Sequence, residues 1–141
     1  MKYIIFIFFL FSFKGYAQIK YPNSFRLIRG ESPAHRDDYY SNGRYFIYGD
    51  TPFQSDGIPN SIVETKALLT SQYELQFTKT KDNLFVATGY IKKKYKYIVV
   101  VKGIAFILVS NYNDKGFSTY SGWLLKALRN EIKQGKEISF P

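Results

Sequence analysis

The residues best suited to chemistry lie in one stretch, GYIKKKYKYIVVVKGIAFIL, which covers residues 89–108. Lysine side chains bind phosphate or carboxylate groups as point charges, and tyrosine rings stack on bases or sugars. The tentative contact residues for an anionic partner are Lys92, Lys93, Lys94, Tyr95 and Lys96. The competing interpretation is a charged turn that keeps a sheet soluble and discourages pairing at its edge.

Catalytic motifs are sparse. The chain has no cysteine, which excludes cysteine nucleophiles and cysteine zinc sites. Its one histidine, His35, lies close to Asp37 and Asp38, so a base with an orienting acid, or a metal pair, is one interpretation. A polar surface loop explains the same residues more simply. P-loop, G-x-G-x-x-G and G-x-S-x-G motifs are missing, and the sequence assigns no catalytic residue, cofactor or metal ligand.

Two further groups of polar residues are better explained by turns. The segment NYNDKG (111–116) has some of the spacing of a calcium loop, but Lys115 occupies a ligand position and Gly122 stands where a glutamate is needed. Asp50 and Asp56 share a loop, and both belong to turn-forming strings. We therefore predict turns here, and neither a calcium site nor a pair of catalytic carboxylates.

The N-terminus predicts export. Lys2 precedes an apolar run over residues 3–13, and Gly15-Tyr16-Ala17 is a small-x-small cleavage pattern. The run is shorter than the roughly 20 residues of a membrane-spanning helix. An uncleaved anchor is the alternative.

Cleavage between Ala17 and Gln18 would divide the chain into a signal peptide (1–17) and a single globular domain (18–141). No transmembrane segment would then remain. The domain would be secreted or periplasmic. Loss of Lys2 and Lys14 would lower the formal charge from +9 to +7, and without disulfides the fold must be held by packing alone.

Alternating apolar residues predict a four-stranded antiparallel meander over about residues 73–109. Turns at Thr80–Asn83, Lys93-Lys94 and Lys102-Gly103 place one set of side chains on a single face. The expected cross-strand pairs are Val101–Ile104, Val99–Phe106, Tyr97–Leu108, Tyr97–Tyr90, Phe77–Val86 and Tyr73–Tyr90. The last two strands are also apolar on their opposite face, so we expect both of their faces to be covered.

The flanking segments predict an α+β fold. Residues 44–48 form a further strand, and Ser61 and Glu64 form a capping box that begins a short helix over about 62–71. A C-terminal helix over about 121–134 is capped by Ser118 or Ser121, ends at Gly135 and packs on the sheet. Residues 18–42 are expected to be irregular. The alternative fold is a small, mostly β barrel plugged by the last helix.

The sequence favours a secreted, non-enzymatic binding protein that contacts an anionic envelope polymer or a protein partner. One alternative is a small secreted hydrolase that uses His35 with nearby acids. Another is an inhibitor or immunity-type protein. A cleft joining His35 to an acid would indicate the hydrolase, and a basic face without such a cleft would indicate the binding protein.

Export generates the first testable prediction. Mass spectrometry of the protein recovered from the exported fraction should find Gln18 at the N-terminus, because Ala17 ends the small-x-small pattern. An exported chain that still begins at Met1 would contradict it.

Overall fold

The computed structural model describes residues 19–30, 38–53, 59–135 and 138. The elements, in chain order, are β1 (Arg26–Ile28), β2 (Tyr39–Ser41), β3 (Tyr45–Asp50), α1 (Ile62–Tyr73), β4 (Thr78–Lys79), β5 (Phe85–Ile91), β6 (Lys94–Val101), β7 (Ile104–Ser110) and α2 (Lys115–Lys133). The strands form one sheet in the order β1-β2-β3-β7-β6-β5-β4. Every described strand pair is antiparallel.

The α+β class with an antiparallel sheet is confirmed, but among the described residues the sheet has seven strands where the sequence predicted a four-stranded meander. In the described part of the chain the strand order ends at β1 and β4, so the sheet is open and is not the closed barrel of the alternative. The N-terminal segment was expected to be irregular, yet it supplies β1 and β2. Strand β3 also runs on through Gly49 and Asp50, which were expected to form a turn.

The β6–β7 register is confirmed, because Val101 lies opposite Ile104 and Val99 lies opposite Phe106. The β5–β6 register differs by two residues from the prediction. Its turn is Lys92-Lys93, so Tyr97 lies opposite Thr88. Side chains alternate between faces with a period of two, and a shift of two therefore keeps every residue on its predicted face.

The prediction that the first strand of the meander begins at Tyr73 is wrong. Helix α1 extends to Tyr73, and Glu74 ends it in the left-handed conformation with φ 58°. Only two residues, Thr78 and Lys79, then pair with β5. Phe77 is not opposite Val86 and packs instead on the other side of the sheet.

Two hydrophobic layers cover the sheet. On one face the side chains of β3, β6 and β7 pack against α2 and the N-terminal segment. The fully buried members of this layer are Ile47, Leu84, Val99, Val101, Phe106, Leu108, Leu124 and Leu128. On the other face α1 and the residues after it cover Ile98, Val100, Ala105, Ile107 and Val109. The predictions that α2 packs on the sheet and that β6 and β7 are covered on both sides are confirmed.

The two helix starts differ in how well the sequence predicts them. Ser61 caps α1, accepting a hydrogen bond from the Glu64 N–H at 3.1 Å, while the Glu64 carboxylate accepts from the Asn60 N–H and not from that of Ser61. Helix α2 begins at Lys115, six residues before the predicted start, because Asp114 caps it through the Phe117 N–H at 2.9 Å. Its predicted end is confirmed, since Gly135 follows with φ 66°.

Burial predicts which valines tolerate a charge. Val99 is fully buried between Val86 and Phe106, so Val99→Asp should lower the free energy of unfolding in urea by about 3 kcal/mol or more. Val63→Asp is the matched control, because Val63 is 76% exposed in the first turn of α1. It should change stability by less than about 0.5 kcal/mol. Equal effects of the two substitutions would contradict the assigned faces.

Candidate functional site: the basic end of the sheet

The β5–β6 hairpin closes with Lys92 and Lys93, both exposed, at φ 52° and 62°. Positive φ at both central residues is the mark of a type I′ turn, in which Asn-Gly is the favoured pair. A side chain other than glycine in this conformation costs on the order of 1 kcal/mol. The next hairpin turn also has positive φ at both residues, Lys102 and Gly103, and does place glycine second. The Lys92-Lys93 turn therefore carries a conformational cost that a simple change of sequence would remove.

The other predicted contact residues divide between the two faces of β6. Lys94 and Lys96 lie on the α1 face, and the Lys94 ammonium donates to Oδ1 of Asn111. Burial lowers the pKa of Lys96, and repulsion from Lys92 lowers it further, while Glu74 opposes both effects. Tyr95 lies on the opposite face, where it packs against the α2 layer.

Tyrosine rings extend this surface. Tyr90 is 57% exposed, and its ring centroid lies 4.6 Å from that of Tyr95, directly across the ladder. The predicted Tyr90–Tyr97 pair is wrong because the turn lies one residue earlier; Tyr97 is buried opposite Thr88. Tyr90 thus remains available to solvent at the edge of the α2 layer.

The same end of the sheet also includes the end of β7 and the start of β3. Ser110, the last residue of β7, lies opposite Tyr95. The buried Ser110 hydroxyl accepts from the Tyr112 N–H and donates to the Arg44 carbonyl, both at 3.1 Å. Tyr112 is 47% exposed, and the Arg44 guanidinium carbon lies 3.8 Å from the centre of its ring. We call the whole assembly the basic end; its members are Arg44, Tyr90, Lys92, Lys93, Lys94, Tyr95, Lys96, Tyr112 and Lys115.

Asp114 fixes this end of the molecule. Its carboxylate accepts from the Tyr45 hydroxyl at 2.6 Å, from Arg44 Nη2 at 2.7 Å and from the Phe117 N–H at 2.9 Å. These hydrogen bonds, led by that of Tyr45, lower the pKa of Asp114 to about 2. The carboxylate also neutralises Arg44, so the remaining positive charge of the basic end belongs to its lysines.

Those lysines have no acidic partner within the described ranges. The two ion pairs found there are Arg44–Asp114 and Arg129–Asp82, both at 2.7 Å. Within the predicted cluster, Lys92 and Lys93 are exposed at the turn, whereas Lys94 and Lys96 are half-buried. Sequence reasoning missed Arg44 and Tyr112, which are far apart in the chain and meet only because β3 pairs with β7.

The hydrolase hypothesis remains a prediction, because His35 and Asp37 lie outside the described residues. Asp38, which is described, accepts the Gly30 N–H at 2.9 Å. Where side chains are described, no group of three His, Cys, Asp or Glu residues is placed to hold a metal ion.

Of the two carboxylates considered as a pair, Asp56 is not among the described residues. Asp50 accepts the Tyr73 hydroxyl at 2.7 Å, and burial together with this hydrogen bond raises the pKa of Tyr73. Asp50 thereby ties the end of α1 to β3.

No family model, curated protein or solved structure matches this chain. Neither α1 nor α2, the helices of the described ranges, is long and apolar enough to cross a membrane.

The low pKa of Asp114 predicts an acid-sensitive contribution to stability. Its folded-state pKa of about 2 lies below the ordinary 3.8, so ionised Asp114 stabilises the fold above pH 3.8 and loses that effect as pH falls towards 2. Asp114→Asn keeps a capping side chain but removes the charge. The variant should melt at a lower temperature than wild type at pH 7, and the difference should shrink towards pH 2. A difference that does not change with pH would contradict this assignment.

Proposed function

We propose that this protein is a secreted, non-enzymatic binding protein that holds an anionic polymer at the basic end of its sheet. The observation that carries the proposal is the Lys92-Lys93 turn, where both residues have positive φ. Strained backbone is retained where the surrounding structure or the function requires it. Asparagine and glycine would form the same turn at lower cost, but only lysines place two ammonium groups at its tip.

The neighbouring groups suit a polymer better than a single ion. Two exposed tyrosines, Tyr90 and Tyr112, belong to the same end as the lysines. Aromatic rings beside a positive surface allow successive units of a chain to stack while the cations follow its charges. The Arg44 guanidinium lies against the Tyr112 ring, and a ring that is already held in place loses less entropy when a ligand packs against it.

Electrostatics also favours an anion at this place. Lys92 and Lys96 repel one another strongly enough to contribute to the lowered pKa of Lys96. An anionic group near both would relieve that repulsion and replace some of the hydration that Lys96 has lost. Lys94 is held in place by Asn111, and Lys115 adds a further exposed charge at the start of α2.

The sharpest test replaces Lys92 and Lys93 with Asn and Gly. The free energy of unfolding should rise by about 1 kcal/mol, because asparagine and glycine adopt positive φ at lower cost than lysine. Binding should weaken at the same time. With duplex DNA as a convenient polyphosphate probe, the slope of log affinity against log salt should fall by about 2, since each phosphate contact contributes roughly 0.9.

The matched control removes two lysines elsewhere. Lys81 and Lys102 are exposed in the β4–β5 and β6–β7 turns. Changing both to Asn lowers the net charge by the same amount and should leave the salt slope unchanged. If the wild-type protein binds neither DNA nor an acidic polysaccharide at low salt, or if both double variants lose affinity equally, the basic end is not a specific contact surface.

A further inference from the structure

A cavity of about 320 Å³ lies between the N-terminal segment and the C-terminal half of α2, away from the residues of the basic end. Ile19 and Lys20 form one wall. The opposite wall is a stripe of α2, where Trp123, Ala127 and Glu131 follow one another at intervals of four residues. Lys126 and Asn130 form a second row beside them. This volume is within the range of small-molecule sites, at its lower end.

Glu131 gives the cavity its chemistry. Its Oε2 atom accepts no hydrogen bond from the described residues and is shielded from solvent, so a ligand in the cavity would reach it only after the side chain turns. An acceptor left unsatisfied costs about 1–3 kcal/mol, and more when it is charged, so native proteins rarely retain one without a reason. Lys20 and Lys126 line the same cavity, but neither forms an ion pair with Glu131. The site therefore offers one negative and two positive groups that are not neutralising each other.

The remaining walls are apolar. Trp123 lines the cavity. Its ring centroid lies 5.4 Å from that of Tyr21, so the two aromatic side chains are in contact. Ile19 is buried, and Ala127, which lies between Trp123 and Glu131 in the α2 stripe, has a small side chain. A ligand for this site needs an apolar portion as well as charges of both signs.

We propose that this cavity binds a free amino acid with an aliphatic side chain. Its ammonium group donates to Glu131, its carboxylate pairs with Lys20 and Lys126, and its side chain packs against Trp123. The two lysines would repel a simple cation, and Glu131 would repel a simple anion. A neutral sugar would leave all three charges without partners, at a cost in affinity. The proposal does not depend on the function assigned to the basic end.

Trp123 makes the test direct, because it is the only tryptophan in the chain and it lines the cavity. L-leucine and L-isoleucine should change its fluorescence saturably, with a dissociation constant of about 1 mM or lower. N-acetyl-leucine has no ammonium group and leucinamide has no carboxylate. Each should bind roughly tenfold more weakly than leucine, the equivalent of one lost charged hydrogen bond.

Substitutions then test which residues bind the ammonium group and which bind the carboxylate of the ligand. Glu131→Gln should weaken leucine roughly tenfold while leaving N-acetyl-leucine unaffected. The Lys20→Gln, Lys126→Gln double variant should weaken leucine but not leucinamide. Lys133→Gln is the control, because Lys133 is exposed on the last turn of α2 and does not line the cavity. No saturable signal with leucine or isoleucine up to about 50 mM would overturn the proposal. So would equal affinity for leucine, its amide and its acetyl derivative.

Discussion

Burial of β6 and β7 on both faces is the constraint on which the rest of the structure depends. Val99 and Phe106 face the α2 layer, while Ile98 and Ile107 face the α1 layer, and all four are almost completely excluded from solvent. A strand pair that is apolar on both sides cannot remain in water on either side, so it requires two covering layers. The two helices, the N-terminal segment and the added strands β1 to β3 supply those layers and extend the sheet. The chain has no cysteine and therefore no disulfide, so noncovalent interactions, with this packing foremost, must offset the entropy of folding.

Asp114 joins the α2 layer to the sheet. One carboxylate there caps α2, pairs with Arg44 before β3 and accepts the Tyr45 hydroxyl. The helix approaches β3 so closely that a Cβ atom at Gly116 would overlap the Tyr45 hydroxyl. Glycine at this position therefore permits the contact and does not end the helix. The Asp114 carboxylate also holds Arg44, whose guanidinium lies against Tyr112. The packing of α2 on β3 therefore helps to shape the basic end.

Sequence reasoning succeeded at the Lys102-Gly103 turn and in the apolar pattern of β6 and β7, but it placed the β5–β6 turn one residue too late. Lys102-Gly103 fixes the β6–β7 register. Apolar residues on both faces of these two strands predict the two covering layers. It failed where distant residues decide. Strands β1 and β2 are three residues each and are stabilised by pairing across the chain, which leaves little periodic signal. The start of α2 is hidden because Gly116 and its polar neighbours give no apolar repeat, and because the cap depends on Tyr45 and Arg44, far away in sequence. At the site, the lysine turn is visible in the sequence, whereas the Arg44–Tyr112 contact needs the β3–β7 pairing.

The competing interpretation of the lysines, protection of a sheet against edge-to-edge association, explains only part of the arrangement. Charges that discourage pairing are most effective along an edge strand, whereas Lys92 and Lys93 lie at the tip of a turn. Lys94 and Lys96, on the strand that follows, already carry charge near this end of β5 without any backbone strain. If solubility were the only requirement, an Asn-Gly turn flanked by these two lysines would meet it at lower cost. The strained pair is better explained by a need for two adjacent ammonium groups where β5 and β6 join, beside the exposed ring of Tyr90. The polymer ligand that we propose, spanning the turn and the ring of Tyr90, would account for both the cost and the placement.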